Sequence, residues 1–151
     1  MKNVLKRQNQ KGFTIIEIMI VLTIAAVILL IVFLAVPALQ RSSRNTQRSN
    51  DAASIASAIN QCLANQNGLT GPCQSTGANN VDIDFAKLGQ LTAATYSNSG
   101  AMGSTTSARW SFAYKCNGNV PAASATTPKS LIVTFQLEAS GGGTTDRCLE
   151  S

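Results

Sequence analysis

The chain has 151 residues, 44% of them apolar, and a formal net charge of +5. A chain of this length has room for about one domain. It contains no histidine, which excludes a Ser-His-Asp triad, a Cys-His pair and a histidine-ligated zinc site. We therefore do not expect this protein to be an enzyme.

The positive charge is concentrated at the start of the chain. Lys2, Lys6, Arg7 and Lys11 all precede a long apolar run, and from Ser49 onward acidic residues outnumber basic ones by six to five. A basic isoelectric point often indicates nucleic-acid binding. Here the charges flank an apolar segment, and positive-inside membrane topology explains them better. Nucleic acid is a possible partner that the sequence does not indicate.

The first predicted element is an apolar helix. Twenty-one of the 24 positions from Phe13 to Val36 are apolar. A helix of about 24 residues is about 36 Å long, enough to cross a bilayer core of about 30 Å. We therefore predict a cytoplasmic leader at residues 1–12 and a membrane span at residues 13–39. A secretory signal is the competing interpretation, but its apolar core is usually only about 7–15 residues long.

Glu17 is a carboxylate inside this apolar run. An ionisable side chain in such a segment is costly unless it reaches water or meets a partner. Two interpretations follow: the side chain extends to water at the membrane surface, or a partner neutralises it after the helix leaves the lipid. The residues around Glu17 favour the second.

Residues Lys11–Glu17 read KGFTIIE and lead into the unbroken apolar helix. This string resembles the class III signal of type IV pilins and of the pseudopilins of secretion and competence systems. The resemblance implies that a prepilin peptidase cuts between Gly12 and Phe13 and that Phe13 is then N-methylated. It also implies that Glu17 pairs with the terminal amine of a neighbouring subunit. Both charges are costly in apolar surroundings unless they meet, so the pair would fix the register of assembly.

The second half of the helix is amphipathic. Apolar residues recur at steps of three and four and so share one face: Ala52, Ile55, Ala56, Ile59, Cys62 and Leu63. Asn67-Gly68 predicts the end of the helix, because both residues tolerate positive φ. We predict one helix from Thr14 to Gln66, with residues 40–66 as its amphipathic part. Pro37, later than the proline that the family commonly has, predicts a distortion near Phe33–Pro37.

Three arginines, Arg41, Arg44 and Arg48, share a face of this helix by their spacing. They are expected either to face solvent near anionic headgroups or to pair with acidic groups of the next subunit. Direct DNA binding is least favoured, because no aromatic residues are interleaved with the three arginines.

Residues 67–151 are predicted to form a globular head. A long loop over residues 68–107 contains a helical turn capped by Asp82 or Asp84; calcium binding by these two is less favoured, because no full ligand run follows. Residues then alternate with a period of two at Trp110–Cys116 and at Leu131–Leu137, and a short strand is expected near Thr145–Leu149. The aromatic residues of the first strand indicate core packing rather than base stacking. The expected fold is α+β and pilin-like, with a three- to four-stranded antiparallel sheet on the amphipathic helix.

The four cysteines all lie on the outer, oxidising side of the predicted span. Their spacings contain no CxxC pair, so no metal site is predicted. Four cysteines allow three connectivities. We favour Cys62–Cys73, which would tie the loop to the helix end, and Cys116–Cys148. The second pair resembles the disulfide-bounded C-terminal region of type IV pilins.

The resemblance implies a structural subunit that polymerises into a type IV pilus used for adhesion, twitching motility or DNA uptake. The implied partners are further copies of the chain, the prepilin peptidase, and an assembly platform with its ATPase; no cofactor is implied. The precursor would span the cytoplasmic membrane once, and the filament would be extracellular. The alternatives are a pseudopilin or minor pilin of a type II secretion or competence system, and a conventionally secreted or single-pass anchored surface protein.

Overall fold

A computed structural model describes residues 12–76, 81–123 and 130–151. The chain divides into two units between Leu39 and Gln40. One helix, α1 (Ile15–Asn65), contributes to both, and it is unbroken at Pro37. Its ends differ by one residue from the predicted limits.

In the first unit, α1 is apolar on every side. The side chains from Phe13 to Leu39 are exposed within this unit. Among the described residues, α1 is a helix long and apolar enough to cross a membrane. A helix that is apolar all round is stable where lipid or other helices surround it, and its backbone hydrogen bonds are satisfied internally in either place.

In the second unit, α1 buries one face in the head. The buried apolar side chains follow the predicted steps of three and four: Ala52, Ile55, Ala56, Ile59 and Cys62. After the helix, Asn67 (φ 52°) and Gly68 (φ 80°) adopt left-handed conformations. The Gly68 N–H donates to the Leu63 carbonyl at 2.7 Å, a bond typical of helix C-termini. The predicted helix end is confirmed.

Six strands follow the helix in the described part of the chain. They are β1 (Ala93–Tyr96), β2 (Ser107–Phe112), β3 (Tyr114–Asn117), β4 (Val120–Ala123), β5 (Leu131–Glu138) and β6 (Thr144–Glu150). Four of them form a sheet in the order β1-β2-β5-β6, and β3 and β4 form a separate two-stranded sheet. Two short 3₁₀ helices, Gly71–Gln74 and Phe85–Lys87, precede the strands. The predicted α+β, pilin-like class is confirmed.

The sheet is antiparallel in most pairings but not in all. β5 pairs antiparallel with both β2 and β6, whereas β1 pairs parallel with β2. The prediction of a wholly antiparallel sheet is therefore wrong at β1. Residues 93–96 lie inside the segment that the sequence predicts to be a loop, because Ala-Ala-Thr-Tyr gives no clear alternation of apolar and polar positions.

The single strand predicted at Trp110–Cys116 is two strands. Ala113 has φ 64°, which interrupts the pleat, so that β2 ends at Phe112 and β3 begins at Tyr114. A left-handed conformation is uncommon for a residue with a Cβ atom and carries no signal in the hydrophobic pattern. β3 consequently leaves the main sheet and pairs with β4.

Both faces of β5 are buried along its first five residues, although the period-two pattern of the sequence predicts that one face is exposed. Every residue from Leu131 to Phe135 is buried. On the face away from α1, the Thr134 hydroxyl donates to the Ala101 carbonyl at 3.1 Å and accepts the Gly103 N–H at 3.2 Å. A polar residue can occupy this buried position because the crossing segment satisfies its hydrogen bonds.

The core lies between α1 and the four-stranded sheet. Trp110 is fully buried, and its indole N–H donates to the Cys73 carbonyl at 3.0 Å. One disulfide, Cys62–Cys73, joins α1 to the first 3₁₀ helix, and another, Cys116–Cys148, joins β3 to β6. These are the pairs favoured above. The burial of Trp110 and Phe112 agrees with core packing of the aromatic residues.

Candidate functional site

The first candidate site is the start of α1. Gly12, Phe13 and Thr14 precede the helix, lie outside regular secondary structure and are exposed. Glu17 is in the first turn of the helix. Among the described residues, a Cβ atom built on Gly12 would meet nothing within 4 Å.

Thr14 and Glu17 form a reciprocal cap. Glu17 Oε2 accepts the Thr14 backbone N–H at 2.9 Å and the Thr14 hydroxyl at 2.7 Å. The Glu17 N–H points back to the Thr14 hydroxyl oxygen at 3.3 Å. This is the capping-box arrangement of a Thr followed three residues later by a Glu. It explains why the helix begins at Ile15 and leaves the Gly12–Phe13 bond outside the helix.

This cap uses one oxygen of the Glu17 carboxylate. Within the described residues, Oε1 accepts no hydrogen bond, and Thr14 supplies both bonds to Oε2. Its neighbours one turn further along the helix, Ile20 and Val21, are apolar and exposed. The start of the helix therefore presents one carboxylate oxygen on an otherwise apolar surface.

The second candidate region is a clamp in the head, formed by Arg44, Asn45 and Arg48 of α1 with Glu138 of β5. Arg44 makes a two-pronged contact with the Glu138 carboxylate, with Nη2 at 2.5 Å from Oε2, and Arg48 Nη2 contacts Oε1 at 2.7 Å. The Asn45 side chain donates to the Glu138 carbonyl at 2.9 Å and accepts the Glu138 N–H at 2.9 Å. The clamp therefore joins the helix to the end of β5.

This clamp corrects both expectations for Arg44 and Arg48. Arg48 is 5% exposed, so it does not face solvent, and its partner carboxylate belongs to the same chain. Hydrogen bonds from Arg44 and Arg48 lower the pKa of Glu138 to about 2 and thus keep its carboxylate charged. Two of the three arginines stabilise the head rather than forming a surface for headgroups or another subunit.

Asp51 forms a third polar site, between α1 and the loop before β1. Its carboxylate is buried and accepts the N–H groups of Gly89 at 3.1 Å, Gln90 at 2.6 Å and Leu91 at 2.9 Å. Burial by itself raises the pKa of Asp51, but the backbone hydrogen bonds from Gln90, Leu91 and Gly89, with the Gln47 amide, lower it overall. The ionised carboxylate fixes the loop on the helix.

The sequence analysis did not identify the roles of Glu138 and Asp51. Both interact with residues far away in the chain, and their neighbours in sequence show no charge pattern. Asp84 was identified as a possible cap, and it accepts the Ala86 N–H at 3.2 Å. No group of three or more metal-ligating side chains occurs in the part of the chain that the structure describes.

In a comparison with protein families, residues 7–33 match the prokaryotic N-terminal methylation motif. This motif is characteristic of type IV pilins and pseudopilins, which are structural proteins rather than enzymes. It implies processing by a prepilin peptidase and assembly into pilus-like filaments. Neither the curated proteins nor the solved structures provide a match.

Proposed function

We propose that this pilin-like protein is the structural subunit of a type IV pilus. The observation that carries the proposal is the methylation motif at residues 7–33, placed at the start of a helix that is apolar on every side up to Leu39. In this proposal, residues 1–12 are a leader, residues 13–39 are the membrane and assembly segment, residues 40–66 continue the helix, and residues 67–151 complete the head. The role is structural and requires no cofactor.

The precursor spans the membrane once, and a prepilin peptidase cleaves it between Gly12 and Phe13. Two features of the chain support this cut. Gly12 leaves open space beside the backbone, and the cap at Thr14 keeps the bond out of the helix, where a protease can bind it in an extended form. Methylation of the new Phe13 amine leaves it able to carry a positive charge.

Assembly joins the Phe13 amine of one subunit to the Glu17 carboxylate of its neighbour. In lipid there is no hydrophobic driving force between helices, so van der Waals packing of the exposed Ile, Leu and Val side chains of residues 13–39 holds assembled helices together. Once the subunit has left the lipid, burial against other helices keeps the same side chains out of water. Packing alone allows many registers. A subunit docked at the wrong height leaves an ammonium and a carboxylate unpaired in apolar surroundings, so the charge pair selects one register.

The finished filament is extracellular, and its partners are further copies of the chain together with the assembly platform and its ATPase. A pseudopilin or minor pilin would carry the same motif. The two disulfides and the strand β6 that closes the head support a subunit that withstands conditions outside the cell.

The test is the variant Glu17→Ala in cells that express the chain as their filament subunit. We expect cleavage before Phe13 to persist, measured by mass spectrometry of the mature N-terminus, and sheared surface filaments to be lost. Thr23→Ala is the matched control, since Thr23 is another polar residue of the apolar segment and its hydroxyl donates to the Ile20 carbonyl of its own helix. Normal filaments from Glu17→Ala would contradict the charge-pair mechanism.

A second measurement tests the pilus itself. Electron microscopy and mass spectrometry of sheared filaments should show the chain starting at methylated Phe13 as their main component. A mature chain starting near Leu39 would indicate a secreted product instead, and an intact Met1 would indicate a simple membrane anchor. Processed chain without surface filaments would favour the pseudopilin alternative.

A further inference from the structure

The sequence contains two Asn-Gly dipeptides, and the structure places them in different surroundings. Asn67-Gly68 follows the end of α1, whereas Asn117-Gly118 lies where β3 enters the turn to β4. We propose that Asn117 is a site of spontaneous covalent modification, at which the side-chain amide is lost and isoaspartate or aspartate is formed. The inference does not depend on the proposed function, because it concerns the head alone.

The reaction joins an asparagine side chain to the backbone nitrogen of the next residue. The Gly118 nitrogen attacks Cγ of Asn117 and forms an N–Cγ bond, while the Cγ–Nδ2 bond breaks and the amide nitrogen leaves as ammonia, carrying the proton of the Gly118 N–H. Water then opens the resulting succinimide ring at either carbonyl carbon. Opening at Cγ gives aspartate, and opening at the main-chain carbonyl carbon gives isoaspartate. Water is the co-reactant, and no oxidant or reductant is needed.

Both reacting groups at this position are accessible. Asn117 and Gly118 are exposed, and a Cβ atom built on Gly118 would meet nothing within 4 Å among the described residues. A glycine has no side chain to shield its nitrogen. In the described part of the chain, neither the Gly118 N–H nor the Asn117 side chain makes a hydrogen bond. Ring closure therefore does not require either group to leave a protein partner first.

The backbone of Asn117 must also leave its strand conformation for the ring to close. Asn117 pairs with Val120, and this is the last pair of the two-stranded sheet before the turn. A two-stranded hairpin is only marginally stable by itself, and the ends of such elements open most easily. The Cys116–Cys148 bridge holds the neighbouring residue but leaves the turn itself unrestrained.

The same dipeptide at the end of α1 is protected by the fold. The Gly68 N–H donates to the Leu63 carbonyl at 2.7 Å, so its nitrogen must give up this bond before it can attack. Asn67 also lies inside the segment closed by the Cys62–Cys73 disulfide, whose ends are 11 residues apart in sequence. A short closed loop has fewer open conformations. Identical local sequences are therefore expected to react at different rates.

Modification at Asn117 changes the surface of the hairpin and leaves the core intact. Either product adds a negative charge at an exposed position. Isoaspartate also adds an atom to the main chain beside a two-residue turn, so the pairing of Asn117 with Val120 cannot keep its register. The Cys116–Cys148 bridge still attaches the hairpin to β6. Older copies of the chain would thus differ from new ones in surface charge rather than in fold.

The experiment incubates the purified full-length chain in mild detergent, in neutral and in mildly alkaline buffer. Mass spectrometry of proteolytic peptides measures the deamidated fraction at each asparagine over time, and electron-transfer fragmentation separates isoaspartate from aspartate. Two synthetic peptides, one for each Asn-Gly dipeptide, provide the unfolded reference. Asn119 is the matched control within the chain, because it shares the exposed turn but precedes Val120, whose branched side chain hinders attack by its nitrogen.

In the folded chain, we expect Asn117 to react about fivefold or more faster than Asn67, the ratio that corresponds to the net free energy of one backbone hydrogen bond. The two peptides should react at similar rates, because both have glycine after the asparagine. Isoaspartate should be the main product at Asn117, and its formation should be faster in alkaline buffer, where the attacking nitrogen loses its proton more readily. Asn117→Gln should remove the signal at that position, since the longer side chain would have to close a larger ring.

Four results would overturn the inference. Asn67 could react as fast as Asn117 in the folded chain, or Asn117 could stay unmodified while its peptide converts. Aspartate without isoaspartate would show that water, and not the Gly118 nitrogen, attacks the amide. A rate difference of the same size between the two peptides would show that local sequence, rather than the fold, selects the site. Asn119 reacting as fast as Asn117 would contradict the role assigned to Gly118.

Discussion

Replacing Asp51 with alanine removes the acceptor of three consecutive backbone N–H groups. The Asp51 carboxylate binds Gly89, Gln90 and Leu91 and so fixes the loop before β1 on α1. Alanine is compatible with the helix, so the change tests the carboxylate rather than the helical conformation.

The expected loss of stability comes from the backbone N–H groups that Asp51→Ala leaves without an acceptor. Leu91 is fully buried, so its N–H loses its partner without access to water, at a cost of about 1–3 kcal/mol. Gln90 and Gly89 are more exposed and recover part of their bonds from water. The unsatisfied Leu91 N–H and the lost hydrogen bonds to a charged acceptor should together lower the free energy of unfolding by about 3–5 kcal/mol. For a unit of this size, that lowers the melting temperature by roughly 10–20 °C.

Thermal unfolding of the full chain in mild detergent measures this change. Trp110 is the single tryptophan and is fully buried, so its fluorescence reports on unfolding of the head. Asp82→Ala is the matched control, because Asp82 is an exposed aspartate of the same unit and its loss should change stability by less than about 0.5 kcal/mol.

The pH dependence provides a second test of the same reasoning. The folded state lowers the pKa of Asp51 from 3.8, so its stabilisation is complete above that pH and is lost as the pH falls through the folded-state pKa. The stability gap between wild type and Asp51→Ala should therefore be constant at neutral pH and narrow in acid. A melting temperature within about 2 °C of wild type, or a gap that widens in acid, would refute the role assigned to Asp51.

Two further predictions concern the head. Glu138→Gln should lower the stability of the head at neutral pH. The difference from wild type should shrink as the pH falls from 4.5 to about 2, because the folded state lowers the pKa of Glu138 from 4.5 to about 2. Chemical unfolding at a series of pH values measures this difference, and a difference that does not depend on pH would contradict the clamp. Gly103→Ala should destabilise the head by about 1–3 kcal/mol, because the added Cβ would overlap the backbone oxygens of Thr134 and Ser107. Gly71→Ala is its control, since a Cβ there meets nothing within 4 Å, and equal melting temperatures for the two variants would contradict the packing argument.

The parts of the molecule that local sequence determines were predictable. The buried face of α1 follows from spacing between Ala52 and Cys62, and its end follows from Asn67-Gly68. The capping pair Thr14 and Glu17 lies three residues apart, so its chemistry is visible in the sequence. In each case the determining interactions lie within one or two helical turns.

The parts that depend on tertiary contacts were not predictable from the pattern. The partner of Arg44 and Arg48 lies at Glu138, about ninety positions along the chain, and nothing local distinguishes it from other acidic residues. The buried outer face of β5 depends on a loop that crosses Thr134. The division at Ala113 depends on its positive φ, which an alanine in the sequence does not indicate.

The separation of β3 from the main sheet at Ala113 affects which parts of the surface can change in sequence. The β3–β4 hairpin hydrogen-bonds as its own two-stranded sheet, and the Cys116–Cys148 bridge attaches it covalently to β6. Residues at its tip, including Val120, are exposed. Substitutions or insertions at the tip leave the layer between α1 and the main sheet untouched, so the exposed surface of this hairpin can change in shape and charge without altering the core.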